Sequence, residues 1–254
     1  MAGTMTGKVV LVTGGSAGIG RATCVRFARE GATVVLAARR SAEGEQTAQM
    51  VREAGGEALF LRADVAQAGD VQGLVHTCEE RYGRLDYACN NAGIEGTIAP
   101  LVEYTEAQWD MLMAINLKGT WLCMKAEILL MRAHGGGAIV NMASIGGLIG
   151  FPGMGPYVAT KHGIIGLTKT AAMEHAQDNI RVNVVCPGLI DTAMADRFTG
   201  GAESDVEKFI LSLKPMRRRG TAAEVAEAVV WLCSDAASYV TGHSMVVDGG
   251  LMTL

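Results

Sequence analysis

Lys8-Val9-Val10-Leu11-Val12-Thr13 runs directly into Gly14-Gly15-Ser16-Ala17-Gly18-Ile19-Gly20, and this junction decides the fold. Val9 to Val12 form a short apolar run with no polar face, which reads as a strand buried on both sides of a sheet. The glycines that follow permit a tight turn and let backbone N–H groups come close to an anion. The helix that opens at Gly20 adds a favourable dipole there. Strand, glycine turn and helix in this order mark the first unit of a parallel α/β sheet, with the turn at its ligand-binding edge. The spacing is Gly-x-x-x-Gly-x-Gly, so the commoner Gly-x-Gly-x-x-Gly fingerprint for a dinucleotide pyrophosphate is met only approximately.

The same rhythm continues outward along the chain. Segments 33–38, 58–61, 85–88, 138–142, 181–185 and 244–247 read as further buried strands. Segments 20–30, 42–54, 71–82, 106–132, 157–177 and 222–233 read as the helices between them. Alternation of this kind implies right-handed crossovers and a Rossmann-like, doubly wound parallel sheet. No repeat or linker divides the chain, so residues 1–254 are expected to be a single domain. Residues 188–216 break the rhythm, with Met194 and Phe198 set among glycines and charges in an irregular stretch. An insertion beyond the carboxyl end of a strand is expected to be a lid or substrate loop.

Composition excludes several classes. The 254 residues are 49% hydrophobic and 19% charged, which argues against disorder. A chain of this length buries about three quarters of its unfolded surface and needs no staple. The net charge is −4, and Arg217-Arg218-Arg219 is the longest basic run. It reads as a solvated loop or as salt bridges to a neighbouring subunit, so no nucleic-acid partner is expected. Six scattered cysteines lack metal-ligand spacing, which points to free thiols in a reducing cytoplasm. His76, His134, His175 and His243 show no metal spacing either, and no metal is expected. Met1 to Thr6 lack a signal-peptide core, and no 18-residue apolar run follows, so no membrane association is expected.

Two further sites bear on chemistry. The second strand ends in Ala37-Ala38-Arg39-Arg40, with no acidic residue to take the ribose 2′-hydroxyl of NAD. Two arginines there suit the 2′-phosphate of NADP, which favours NADP while leaving NAD open. Tyr157-Val158-Ala159-Thr160-Lys161 places a phenol and an ammonium one helical turn apart on one face. A free phenol titrates near about 10, and a nearby positive charge lowers that value toward the range useful for acid–base work. Ser144 follows the strand 138–142 and so stands at the carboxyl edge, where its hydroxyl can donate to a substrate oxygen.

Taken together, these residues resemble those of the short-chain dehydrogenase/reductase family, from about Lys8 to Gly250. The resemblance rests on the glycine turn, Asn90-Asn91-Ala92-Gly93, Ser144 with Tyr157 thirteen residues later, Lys161, Pro187-Gly188 and Val247-Asp248-Gly249-Gly250. It implies an NAD(P)-dependent alcohol dehydrogenase or carbonyl reductase acting on a small alcohol or ketone. The implied catalytic set is Asn116, Ser144, Tyr157 and Lys161, with Asn116 holding a water that links Lys161 to solvent. The implied cofactor site comprises Gly14, Ser16, Gly18, Ile19, Gly20, Arg39, Arg40, Asp64, Val65, Asn91, Ala92, Gly93, Tyr157, Lys161, Pro187, Gly188, Ile190 and Thr192. Asp64 and Val65 are assigned to the adenine, Lys161 to the nicotinamide ribose, and Ile190 and Thr192 to the carboxamide. Segment 188–216 is implied to close over substrate, and a homotetramer paired through long helices is expected. One departure is Ser16-Ala17, where many NADP-preferring members carry a second basic residue.

Ser144, Tyr157, Glu95, Met154 and Met194 are the candidate substrate contacts, and an apolar pocket suits an alicyclic, aromatic or steroid-like alcohol. Two other functions compete with this reading. A non-catalytic NADP(H) sensor is one, though a sensor has no need of a proton relay. A non-redox lyase or epimerase is the other; it needs further acid–base groups, and Glu95 and His162 are the nearest by sequence.

Overall fold

The computed structural model describes residues 4–253, so the first half of the Met1–Thr6 segment and the last residue lie outside it. Among the described residues one seven-stranded sheet runs in the order β3-β2-β1-β4-β5-β6-β7. The strands are β1 (Val9–Thr13), β2 (Thr33–Ala38), β3 (Ala58–Arg62), β4 (Tyr87–Asn90), β5 (Gly137–Met142), β6 (Ile180–Pro187) and β7 (Ser244–Val247). Every neighbouring pair is parallel. The strand order reverses between β1 and β4, which opens a crevice at the carboxyl edge, where ligands bind in such sheets. The fold is the doubly wound, Rossmann-like single domain that the alternation predicts.

The helices are α1 (Gly18–Arg29), α2 (Ser41–Glu53), α3 (Ala68–Tyr82), α4 (Glu106–Leu112), α5 (Gly119–Ala133), α6 (Gly155–His175), α7 (Ala193–Thr199), α8 (Asp205–Leu213) and α9 (Ala222–Cys233). Side chains alternate across each strand, so β1 sends Val10 and Val12 to one face and Val9 and Leu11 to the other. Phe27, Val51 and Val229 of α1, α2 and α9 close the first face. Leu74, Met131 and Ala172 of α3, α5 and α6 close the second. Burial on both faces is why the strands read as unbroken apolar runs. Among the described residues no helix is long and apolar enough to cross a membrane, and no cluster of metal-ligating side chains forms. All six cysteines are free and buried.

Three expectations need correction. The strand expected at 85–88 spans Tyr87–Asn90, because the amide side chains of Asn90 and Asn141 pair inside the sheet and let a polar residue extend it. The helix expected over 106–132 is broken by a wide π-type segment, Met113–Lys118. Here Gly119 N–H reaches back to Ala114 O, and Asn116 bonds Ile94 through both ends of its amide, 2.9 Å each. A side chain that binds outside its own helix widens the turn carrying it. The 188–216 stretch is not irregular throughout but holds α7 and α8. Thr192 and Ser204 cap their N-termini by accepting from Ala195 N–H and Glu207 N–H. Arg218 and Arg219 are paired within their own chain, to Glu224 and to three carboxylates described below.

Candidate active site

The crevice at the switch point is a cleft of about 500 Å³. Its floor is the β1–α1 turn. Gly14 has a φ of 66°, and a Cβ there would lie 2.8 Å from Asn91 Nδ2. A Cβ on Gly20 would lie 2.2 Å from Gly14 O, so the first turn of α1 packs directly on the loop. Asn91 Nδ2 donates to Thr13 O and Gly14 O at 3.1 and 3.2 Å and fixes the turn from the β4 side. Ala17 at the N-cap of α1 supplies no side-chain acceptor, so the helix presents free N–H groups to the cleft. An uncapped helix N-terminus in a glycine-lined cleft of this size fits a dinucleotide pyrophosphate.

At one end of the cleft β2 stops at Ala38, and Arg39 and Arg40 line the wall with their side chains 58% exposed. Arg40 Nη2 donates to Ser16 Oγ at 3.3 Å, and Arg39 lies 3.9 Å from Asp64. Asp64 and Val65 line the same end. At the other end stand Ser144, Tyr157 and Lys161. Ser144 Oγ accepts Gly146 N–H at 3.1 Å, which leaves its own proton free to point into the cleft. The buried Lys161 ammonium donates to Met142 O at 2.8 Å and lies 5.5 Å from the Tyr157 ring centroid.

Burial dominates the electrostatics. It pushes Lys161 down to about 8, because its ammonium has little water around it. Burial also raises the Tyr157 phenol; Ser144 pulls it back, and the charge of Glu95 raises it further. In the free protein burial is the largest of these effects on the phenol, and the Lys161 ammonium lies over its ring.

Of the expected cofactor residues, Gly14, Ser16, Gly18, Ile19, Ala92, Gly93, Pro187, Gly188, Ile190 and Thr192 line the cleft with those already named. Gly20, expected to bind the cofactor, and Asn116, expected to be catalytic, do not. Gly20 is buried against the turn, and Asn116 is buried beneath Ile94, with Thr120 Oγ1 donating to its carbonyl at 2.7 Å. Of the expected substrate contacts, Glu95, Met154 and Met194 line the cleft. His162 is exposed on α6, its ring against Val158 O, and takes no part in the cleft. Ile94, Ile145, Phe151, Arg197, Phe198, Ile210 and Leu251 line the cleft without having been anticipated. Phe198 had a signal, an isolated aromatic in the 188–216 stretch. Leu251 had a fainter one in Asp248, whose carboxylate accepts Gly250 N–H and Met252 N–H and folds the chain end inward. Arg197 had none, since its partner Glu95 lies far away in sequence.

A family model described as enoyl-(acyl carrier protein) reductase matches residues 3–252. A 2,5-dichloro-2,5-cyclohexadiene-1,4-diol dehydrogenase of Sphingobium indicum is 41% identical over 251 residues, covering 98% of this chain and 99% of that one. The crystal structure of levodione reductase superposes with a TM-score of 0.94 at 39% identity, covering 98% of this chain and 99% of that one; a protein of that name comes from Leifsonia aquatica. A structure of NAD+-bound xylitol dehydrogenase superposes with a TM-score of 0.93 at 35% identity, covering 97% and 99%. With its sheet order, its cleft and these relatives over the whole length, the chain belongs to the short-chain dehydrogenase/reductase family and is an NAD(P)-dependent oxidoreductase.

Proposed function

We propose that this enzyme interconverts a secondary alcohol on an apolar ring and its ketone, with Tyr157 as the acid–base group and NADP(H) preferred to NAD(H). The observation that carries the reading is the meeting of Ser144, Tyr157 and Lys161 in one cleft with the uncapped start of α1. Gly14, Ser16, Gly18 and Ile19 hold the pyrophosphate, and Asn91, Ala92, Gly93, Pro187, Gly188, Ile190 and Thr192 flank the nicotinamide half. When bound, the cofactor supplies the hydride acceptor or donor and, once oxidised, a positive charge beside the phenol.

In oxidation Tyr157 takes the substrate hydroxyl proton while Ser144 donates a hydrogen bond to the same oxygen. That donation strengthens as charge builds on the oxygen and so favours the transition state. In reduction Tyr157 gives the proton back, and Ser144 again donates to the oxygen. Lys161, near about 8, gives and retakes a proton at neutral pH and restores Tyr157. Asn116, held under Ile94, keeps the path from Lys161 to solvent open through a water. The sensor and the lyase or epimerase readings are not favoured: the acid–base set is intact, His162 lies outside the cleft, and the relatives are named for dehydrogenation and reduction.

The substrate end is walled by Ile94, Phe151, Met154, Met194, Phe198 and Ile210, which suits a carbon ring. The Sphingobium relative, named for a cyclohexadienediol, agrees with that choice. NADP is favoured because Arg39 and Arg40 follow β2 with no carboxylate at the strand end, and Ser16 stands beside Arg40. The NAD+-bound neighbour keeps NAD as the second choice. Exposed Trp109, Trp121, Leu129 and Met173 on α4, α5 and α6 support a homotetramer paired through helices. Six free thiols suit the cytoplasm.

The test titrates NADP+ and NAD+ at equal concentration and follows thermal unfolding, since protection grows as RT ln(1 + [L]/Kd). NADP+ is expected to raise the midpoint more, and Arg39→Asp to reverse the order. Greater protection by NAD+ would overturn the cofactor preference, and protection by neither would remove the cleft as the dinucleotide site. Alicyclic secondary alcohols are then expected to give reduced-nicotinamide absorbance more readily than polyols.

A further inference from the structure

The chain between β6 and α9 leaves the sheet and returns to it at one point. Ile190 and Gly220 form an isolated parallel bridge, with Asp191 N–H donating to Gly220 O at 2.8 Å and Gly220 N–H to Leu189 O at 3.0 Å. Helices α7 and α8 hang from this neck and give Met194, Arg197, Phe198 and Ile210 to the cleft. Arg219 stands at the neck, behind the wall rather than in the cleft lining. Its Nη1 reaches Asp191 at 3.2 Å and Asp196 at 2.7 Å, and its Nε reaches Glu207 at 2.5 Å. Those three carboxylates belong to the neck, to α7 and to α8. The Arg219 and Glu207 side chains are 11% and 7% exposed. Beside them the buried Lys214 ammonium donates to Leu189 O at 3.0 Å.

The opposite end of the same wall is held differently. Arg197 on α7 makes a single pair with Glu95, from the loop after β4, at 2.5 Å, with the arginine side chain 61% and the glutamate 14% exposed. One pair with its cation in solvent holds less firmly than a guanidinium shared by three carboxylates, and salt screens it more. Arg219 is anchored differently: its guanidinium meets the buried Glu207, and Asp191 and Asp196 reach it from the surface, 73% and 50% exposed. Its planar fork serves several acceptors at once, which a lysine does not reproduce. Removing it leaves three like charges at one point, which drives α7 and α8 away from the neck.

We propose that Arg219 is a positioning residue of the substrate pocket: by gathering Asp191, Asp196 and Glu207 it holds α7 and α8 over Tyr157, while the exposed Arg197–Glu95 pair is the side that opens to admit substrate. The proposal rests on the reading of residues 188–216 as the substrate wall.

The test compares wild type with Arg219→Gln, Arg219→Lys and Glu95→Gln by hydrogen exchange, cofactor titration and steady-state kinetics on the alcohol found active. Arg219→Gln is expected to speed exchange across 192–218 by about tenfold or more. KM for the alcohol is expected to rise about tenfold with a smaller fall in kcat, while NADP+ affinity stays within about twofold. Arg219→Lys is expected to restore little of this, and Glu95→Gln to raise KM less than about threefold. Should Arg219→Gln fail to fold, Asp196→Asn reads the same wall, with an expected rise in KM of about threefold. Unchanged exchange in 192–218 overturns the pin. Faster exchange with an unchanged KM overturns the assignment of this segment to substrate, and the positioning role with it. Loss of cofactor affinity in step with KM overturns it too, since the effect is then not confined to the wall.

Discussion

Glu127 and Glu207 are both buried carboxylates, one against the sheet and one on α8 in the segment that walls the cleft, and their surroundings push them in opposite directions. Glu127 on α5 is fully buried; its Oε2 accepts Asn90 Nδ2 at 2.9 Å, and its Oε1 has no partner. Burial drives its pKa up to about 8. Glu207 meets Arg219 and accepts Glu203 N–H, and the arginine holds it below the usual carboxylate value. Around Glu127 the sheet is thus built from packing and neutral polar pairs, whereas α7 and α8 are tied to the neck by ionic ones. The two halves differ in what breaks them: lost fit or an added charge for the first, lost charge for the second.

The largest effect is expected where the halves meet. Tyr157→Phe removes the proposed acid–base group and is expected to lower kcat by about a thousandfold, within the span typical of such groups. NADP+ protection against unfolding should stay close to wild type, because the uncapped end of α1 is untouched. A parallel loss of cofactor binding would mean that the halves are not separable at this residue. Next comes Gly20→Ala. The added Cβ falls 2.2 Å from Gly14 O, on backbone that has nowhere to go, so the turn must open. Overpacking of this kind costs about 1–3 kcal/mol or more. Chemical denaturation should show that loss together with weaker cofactor binding, and neither should be recovered by changing salt. A salt-sensitive defect would blur the contrast with the ionic wall.

What the sequence revealed follows the same division. Packing is local in sequence, so Val9 to Gly20, Tyr157 to Lys161 and Ser144 after β5 could be read without coordinates. Each depends on neighbours a few residues away and on periods that strands and helices impose. The wall could not be read in that way. Arg197 and Glu95, or Arg219 and Asp191, are paired through tertiary distance, and nothing local to Arg219 separates it from Arg217 two residues before it. Helices α7 and α8 are short, and what fixes them is capping and ion pairs rather than an apolar stripe. The break in the 106–132 helix was hidden for a related reason. Asn116 is an ordinary polar residue in sequence, and it widens its turn only because Ile94 is there to bond it.

The finest division between the halves is in their response to pH. The folded pKa of Glu127 lies above its unfolded value of 4.5, so the folded state holds the proton more tightly. Its contribution to stability is fully present below about 4.5 and is lost as pH rises through about 8, at up to about 1.4 kcal/mol per pH unit. Glu207 has the opposite sign, and its contribution is present above the unfolded value and lost as pH falls through the folded one. Glu127→Gln keeps the shape and an acceptor toward Asn90 but cannot ionise. Subtracting its stability from that of wild type cancels every other titrating group, Lys161 included. In denaturant titrations the wild type should lose ground steadily to Glu127→Gln between about pH 5 and 8. A difference that is flat over that window would mean Glu127 is ionised inside the sheet half, which would then hold a buried charge as the wall does. The buried Asn90–Asn141–Thr168 chain of hydrogen bonds, 2.9–3.0 Å long, offers amides and a hydroxyl but no cation to hold such a charge, so the neutral acid is the state this packing suits.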